Sequence, residues 1–325
     1  MATLRDVARE AGLNVSTVSR VLNNRGYISE EARARVDSAM KKLHYRPNEI
    51  ARSLRTQNSG LIGVIVPRLS HPYYASSLHW LMKRFDSAGY HMLLFDSENN
   101  NDKLWQYLQY CESYHVDAVV LMSNLIKMDK KKEFSFPLIT VERERGWADA
   151  LVQCDNLNGG RMAAEHLYER GCRNLIQIAG ANVPGIPSDR RMTGFIEMCD
   201  RLHVKHREFS TDEYQFDSGD YLLFIADILR RFPDTDGVFA SSDMIAMNVE
   251  KAAKQLGLSV PDDLKIVGFD DTKIAEYAEP PITSIHQDLP AMMSTVVELL
   301  PKLIAGEEVQ KETTIPVKLV KRGST

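Results

Sequence analysis

From residue 61 onward, short apolar runs alternate with longer stretches of helical period, and the alternation runs through twice. Residues 61–67, 90–96, 118–122 and 138–141 are almost continuously apolar, the pattern of strands buried on both faces, with helices near 73–88 and 102–114. A second series places strands at 175–179, 207–210, 238–240 and 266–269, with helices near 158–170, 189–202, 218–231 and 243–256. A strand that is followed by a helix must return as a parallel neighbour, so each series predicts a doubly wound α/β sheet. Two series of similar length predict two such subdomains, and one further strand is expected at 314–321.

The first 58 residues have a different character. They hold eleven Lys/Arg against six acids, a charge of +5, while the remainder carries −9 within the total of −4. A basic head on an acidic body points to a polyanion as the partner of the head alone. Thr3 precedes Leu4-Arg5-Asp6, a cap with a carboxylate placed to return to the free amides. Leu4, Val7, Ala8 and Ala11 then recur at helical spacing until Gly12 stops the run. Asn14 is placed to cap a second helix striped by Val15, Val18, Val21 and Leu22, and Ser29 opens a third with Val36, Ala39, Met40 and Leu43 inward. Two helices so tightly joined read as a helix-turn-helix. The exposed start of the second helix carries Val15, Ser16, Thr17, Ser19 and Arg20. Small polar or methyl-bearing side chains with one guanidinium fork suit a major groove, where Arg binds guanine bidentately and methyls meet thymine.

Ligands of doubly wound sheets bind beyond the carboxyl ends of the strands. There the body places Glu142, Ser241-Ser242-Asp243 and Asp270-Asp271, while Arg191 opens a helix and Tyr73, Tyr74 and Tyr214 offer flat faces. Carboxylates and an Arg that fork onto hydroxyls, beside aromatic rings, hold small polyols. The competing reading is that strand-end acids cap the helices that follow, which suits Asp243 best. An enzyme is not expected, for there is no G-x-S-x-G, no Walker loop and no G-x-G-x-x-G after the first strand. His203 and His206 form an HxxH without further ligands, and Cys111, Cys154, Cys172 and Cys199 make no CxxC, so no metal and no cofactor are expected. The longest apolar runs are far short of the ~20 residues a bilayer requires, and the N-terminal Arg5, Asp6, Arg9 and Glu10 exclude a secretory leader. The expected setting is the cytoplasm.

Residues 2–54 resemble the headpiece and hinge of the LacI/GalR family of bacterial repressors. The likeness is carried by Thr17-Val18-Ser19-Arg20-Val21-Leu22-Asn23, by Tyr45-Arg46-Pro47-Asn48 and by Ala51-Arg52-Ser53-Leu54, and it continues to the last strand. It implies a headpiece at 1–46 and a hinge at 47–58. It further implies an N-terminal effector subdomain at 59–155 with 286–315 and a C-terminal one at 156–285 with 316–325, of periplasmic-binding-protein type. The three crossings are then expected near Asp155, Ile285 and Ile315. In the head the resemblance assigns bases to Val15, Ser16 and Arg20, and phosphates to Thr3, Thr17, Ser19, Asn23 and Ser29. Tyr45, Asn48 and Ala51 complete the DNA-facing set, and Leu54 would wedge into the minor groove at the operator centre. The partners implied are a palindromic operator, a second copy of the chain in a homodimer, and a small sugar or sugar phosphate.

In the body the resemblance assigns the effector to Tyr73, Tyr74, Glu142, Arg143, Arg191, Tyr214, Ser242, Asp243 and Asp270. Glu142-Arg143 stands where many relatives have Asp-Arg, and Ser242-Asp243 departs from the frequent Asn/Thr-Asp. Within the family, Gly26-Tyr27-Ile28-Ser29, Asp155-Asn156 with Gly159-Gly160-Arg161, and Ser242-Asp243-Met244 are most similar to Gram-positive sucrose-operon repressors. A ribose or other glycoside regulator, and a catabolite-control regulator that answers to a phosphorylated carrier protein, stay open as alternatives.

Overall fold

The computed structural model describes residues 2–22, 26–45, 59–122, 134–143, 146, 148–180, 188–211 and 221–325. They form two compact units, Met1–Ser59 and Gly60–Thr325.

The first unit contains α1 (Leu4–Ala11), α2 (Val15–Leu22) and α3 (Glu30–Lys42). Thr3 caps α1 in a reciprocal box, its hydroxyl accepting from the Asp6 N–H while Asp6 accepts from the Thr3 N–H at 2.9 Å. Gly12 ends the helix at φ +62°, and its carbonyl accepts from the Arg35 guanidinium at 3.1 Å, which ties the turn to α3. Asn14 opens α2 through its carbonyl, which accepts from the Thr17 and Val18 N–H groups. Ser29 caps α3, its hydroxyl accepting from Ala32 at 3.2 Å. Val7, Ala8, Ala11, Val18, Val21, Val36 and Ala39 make a small core of their own.

The second unit is two sheets. The first comprises β1 (Leu61–Val66), β2 (His91–Asp96), β3 (Ala118–Leu121), β4 (Leu138–Val141), β5 (Ala150–Cys154) and β11 (Glu312–Ile315), in the order 11-5-4-3-1-2. The second comprises β6 (Asn174–Ala179), β7 (Lys205–Ser210), β8 (Gly237–Ala240), β9 (Lys265–Asp270), β10 (Thr283–Gln287) and β12 (Val317–Val320), in the order 12-10-9-8-6-7. Among the described residues every strand pairing is parallel except β10 with β12. Both sheets repeat one winding, and in each the order reverses beside the first strand, the place where open α/β sheets bind ligands. The strand-and-helix expectation holds, with α4 (Pro72–Ala88), α5 (Asn101–Ser113), α6 (Asn156–Glu169), α7 (Asp189–Leu202), α8 (Leu222–Arg231), α9 (Asp243–Gln255), α10 (Lys273–Tyr277) and α11 (Leu289–Ile304).

Three features differ from expectation. The strand read at 314–321 is two strands in different sheets, β11 on β5 and β12 on β10, divided at Pro316, which has no N–H for a ladder. The chain crosses between sheets there and again at Asp155. The other crossing, expected near Ile285 with the subdomain boundary between Ile285 and His286, falls two residues later, after Gln287, because His286 and Gln287 still pair with Asp270 and Val317. Strands β5 and β10 carry no long apolar run: β10 reads Thr-Ser-Ile-His-Gln, and its buried polar groups, the Gln287 carboxamide oxygen excepted, are hydrogen-bonded within the fold. The Thr283 N–H, for instance, donates to the Ser324 hydroxyl at 2.8 Å.

Candidate functional site

In the first unit, α2 turns Val18 and Val21 into the core and leaves Val15, Ser16 and Arg20 exposed on the other side, with Thr17 and Ser19 half-buried between. This is the periodicity of a helix whose outer face is free for a groove. Thr3 and Ser29 are exposed, and their hydroxyls already serve as helix caps. Tyr45 packs against the head's core, its N–H donating to Met40 at 2.9 Å. Asn23, Asn48, Ala51 and Leu54, with the 47–58 segment, lie outside the described residues.

In the second unit a cleft of about 920 Å³, open mouth included, lies at the carboxyl ends of β4, β6, β8 and β9. Tyr73 and Tyr74 enter it from the first turn of α4, which Pro72 begins, with the His71 imidazole accepting from the Tyr73 N–H at 3.3 Å. Glu142 and Asp270, at the ends of β4 and β9, take left-handed backbone (φ +53° and +103°), uncommon for such residues and concentrated at functional sites. Arg191 comes from the first turn of α7. A methyl at Gly194 would stand 1.9 Å from the Leu157 carbonyl oxygen, and one at Gly160 as close to that of Arg191 itself. Only glycines allow α6 and α7 to meet backbone to backbone, and that approach holds Arg191 in place.

Arg191 is the hub of a buried network. Its Nε donates to the Asn156 carboxamide oxygen at 2.7 Å and one terminal nitrogen to the Ser241 carbonyl at 2.6 Å. Its terminal nitrogens lie 3.8 Å from Glu142 and 3.6 Å from Asp270, and its guanidinium lies 3.6 Å over the Phe269 ring. Glu142 also accepts from the Cys154 N–H and from Asn156 at 2.9 Å, and Asp270 from Gln287 at 2.7 Å. Burial pushes the Asp270 carboxyl well above the usual range, against the pull of Arg191, and burial likewise raises the Tyr73 phenol. Arg143 is spent on the Met122 and Glu142 carbonyls and the Tyr74 hydroxyl. Arg143 thus donates to three acceptors, while Arg191 donates from Nε and one terminal nitrogen and turns its other terminal nitrogen toward Glu142 at 3.8 Å; the buried Tyr73 hydroxyl has no partner among the described residues.

The structure therefore brings Tyr73, Tyr74, Glu142, Arg143, Arg191, Ser242 and Asp270 together around one cleft. Asp243 is elsewhere. It neither lines the cleft nor caps α9, a role that falls to the Ser242 hydroxyl. Instead it is buried and accepts from the Thr272 N–H at 2.6 Å, the Thr272 hydroxyl at 2.9 Å and the Ser284 hydroxyl at 2.6 Å, fastening β9, β10 and α9 together. Tyr214 lies outside the described residues. Sequence reading did not place Asn156 and Gln287 in the network; each stands at a crossing between the sheets, and that position was the available signal. Among the described residues no group of three or more His, Cys, Asp or Glu is arranged to hold a metal ion, and no helix is long and apolar enough to cross a membrane.

Comparison with known proteins agrees with both units. Residues 3–48 match the family described as bacterial regulatory proteins, lacI family, and residues 164–325 match a periplasmic binding protein-like domain. The sucrose operon repressor of Streptococcus mutans serotype c is 34% identical over 324 residues, 98% of each chain. The ribose operon repressor of Halalkalibacterium halodurans is 34% identical over 327 residues, 100% of this chain and 97% of that one. Among solved structures, the lac repressor dimer bound to operator and an anti-inducer superposes with a TM-score of 0.88 at 25% identity, over 99% of this chain and 98% of that one. The transcriptional regulator CelR in complex with cellobiose gives 0.72 at 28%, over the whole of both chains. A full-length match at this identity, spanning a DNA-reading head and a cleft between two wound sheets, makes this chain a member of the lacI family of bacterial regulatory proteins.

Proposed function

We propose that this regulator is a homodimeric repressor that works in the cytoplasm on a palindromic operator and is controlled by a small neutral sugar held in the cleft. Two copies are needed because one head offers a single groove contact. In this reading Arg20, Val15 and Ser16 meet base edges. Thr3, Thr17, Ser19, Asn23 and Ser29 position the head on phosphates, with Tyr45, Asn48 and Ala51 beside them and Leu54 at the operator centre.

The neutrality of the effector rests on one observation: the acids Glu142 and Asp270 already flank Arg191 at 3.8 and 3.6 Å, and Arg143 already donates to two backbone carbonyls and to Tyr74. A phosphate entering this site would compete with two buried acidic groups for Arg191 and would have to displace the present acceptors of Arg143, a cost that a hydroxyl does not meet. Hydroxyls instead find carboxylate lone pairs on Asp270 and Glu142 and flat faces on Tyr73 and Tyr74. The sugars named with the relatives, sucrose and ribose, are the first candidates, sucrose foremost. The cleft walls come from different sheets, so a sugar that bridges them alters their closure. Because coupling is reciprocal, operator DNA then shifts sugar affinity by the same factor that sugar shifts operator affinity.

Calorimetry of the full-length protein against sucrose, D-ribose, and fructose 6-phosphate, with and without operator, tests this reading. Binding of a neutral sugar with no binding of the phosphate supports it. Preference for the phosphate would overturn the neutral-effector assignment, and operator binding with no sugar response would return the phosphorylated carrier protein to the front.

A further inference from the structure

The cleft contains a polar side chain that the network around Arg191 leaves aside. Gln177 stands in the interior of β6, fully buried and lining the cleft, and among the described residues neither its carboxamide oxygen nor its nitrogen has a hydrogen-bond partner. Its register partners are Glu208 on β7 and Phe239 on β8. Glu208 engages His206 at 2.5 Å instead, and Phe239 offers only a ring. Leu175, two residues earlier and so on the same face of the strand, packs in a core with Phe195 and Phe239. An apolar residue in place of Gln177 would extend that core without leaving two polar atoms dry. A buried amide that pairs with nothing is rare, because it gives up its water for no return.

We propose that Gln177 is a specificity-determining contact for the effector, donating one hydrogen bond and accepting another from adjacent hydroxyls of the bound sugar. This rests on the sugar-cleft reading above. A carboxamide presents a donor and an acceptor side by side, the complement of a vicinal diol in which one hydroxyl donates and its neighbour accepts. The Tyr73 hydroxyl, likewise buried and unpartnered, comes from the helix that follows β1, in the other half of the body. Each wall thus supplies one unsatisfied polar group, and a polyol that satisfies both is held from both sides. Such a site also rejects analogues that lack the matching hydroxyls, since they leave its polar atoms unpaired.

The test uses the full-length protein and Gln177→Met, which keeps the length of the side chain without its polar atoms. Thermal melting is followed alone and with sucrose, D-ribose or D-fructose, and operator binding is measured in parallel. Without sugar, Gln177→Met melts at or above the wild type and binds operator equally. For whichever sugar shifts the wild type, the variant's affinity falls about tenfold to a hundredfold, the loss of two hydrogen bonds. Gln177→Asn, which retracts the amide by one methylene, also loses sugar affinity. A Gln177→Met that melts below the wild type makes the side chain structural and overturns the proposal, as does one that keeps full sugar affinity. A wild type that responds to none of the three sugars overturns the sugar-cleft reading, and this inference with it.

Discussion

Arg191→Met isolates the electrostatics of the cleft. The residue is 7% exposed and stands between Glu142 and Asp270, themselves 3% and 6% exposed. Methionine keeps some of the packing on Phe269 but removes the cation, leaving two buried carboxylates without a counter-charge and the Asn156 and Ser241 oxygens without a donor. Removing one member of a buried pair costs about 3–5 kcal/mol, and a domain of this size loses roughly 2–4 °C of melting temperature per kcal/mol, so the body's transition falls by about 10 °C. The loss depends on pH. Burial already holds Asp270 well above the usual carboxylate range, and without Arg191 its affinity for a proton rises further. A folded state that holds a proton the unfolded chain has released is less stable as pH rises. The deficit of Arg191→Met against the wild type is therefore larger at pH 8 than at pH 5. Differential scanning calorimetry at both values, with operator binding measured well below the transition, reads the two effects separately. Operator binding survives, since the head has its own core, and the sugar response is lost. A deficit under about 3 °C, or one equal at the two pH values, would refute the reasoning.

Arg20→Ala relaxes base preference at one position per half-site at a cost of about 1–3 kcal/mol; equal weakening on operator and random DNA, measured by competition binding, would remove its base-reading role. Operator affinity falls steeply with salt because the head carries +5 over residues 1–58; a flat plot of log affinity against log salt would show that phosphates contribute little. Asp243→Asn flattens part of the body's stability profile. Burial raises the Asp243 carboxyl from the ordinary 3.8 to about 6 against the donors of Ser284 and Thr272, so its contribution is full below about pH 4 and is lost as pH rises through about 6. That shift is worth about 3 kcal/mol, so the wild type gains on the Asn variant between pH 7 and pH 4 in denaturant titrations; a constant difference would mean that Asp243 does not titrate there.

What the sequence made legible follows the physics of each element. Strands β1, β3 and β4 announce themselves because both faces are buried among apolar neighbours, and residues such as Ile62, Val120 and Ile139 must all be hydrophobic. Strand β10 is buried as deeply, yet Ser284, Thr283 and Gln287 are polar, so its place depends on Asp243, Ser324 and Asp270, which arrive from elsewhere in the chain. Hydrophobic period reports burial against water; it is silent where burial is met by hydrogen bonds. Asp243 shows the same limit from the other side. A strand-end acid before a helix satisfies the capping pattern, but Ser242 stands one residue earlier and takes the cap, which frees the Asp243 carboxylate to fasten Thr272 and Ser284. The cleft acids and Arg191 were legible as a set because topology brings strand ends together. Their pairing was not, because Asn156, Ser241 and Gln287 approach Arg191 and Asp270 from three separate parts of the chain. That pairing decides the chemistry. Two arginines read from sequence are two free cations that invite a phosphate; in the fold Arg191 stands between Glu142 and Asp270 and Arg143 donates to carbonyls and Tyr74, so a phosphate has to compete with partners already in place.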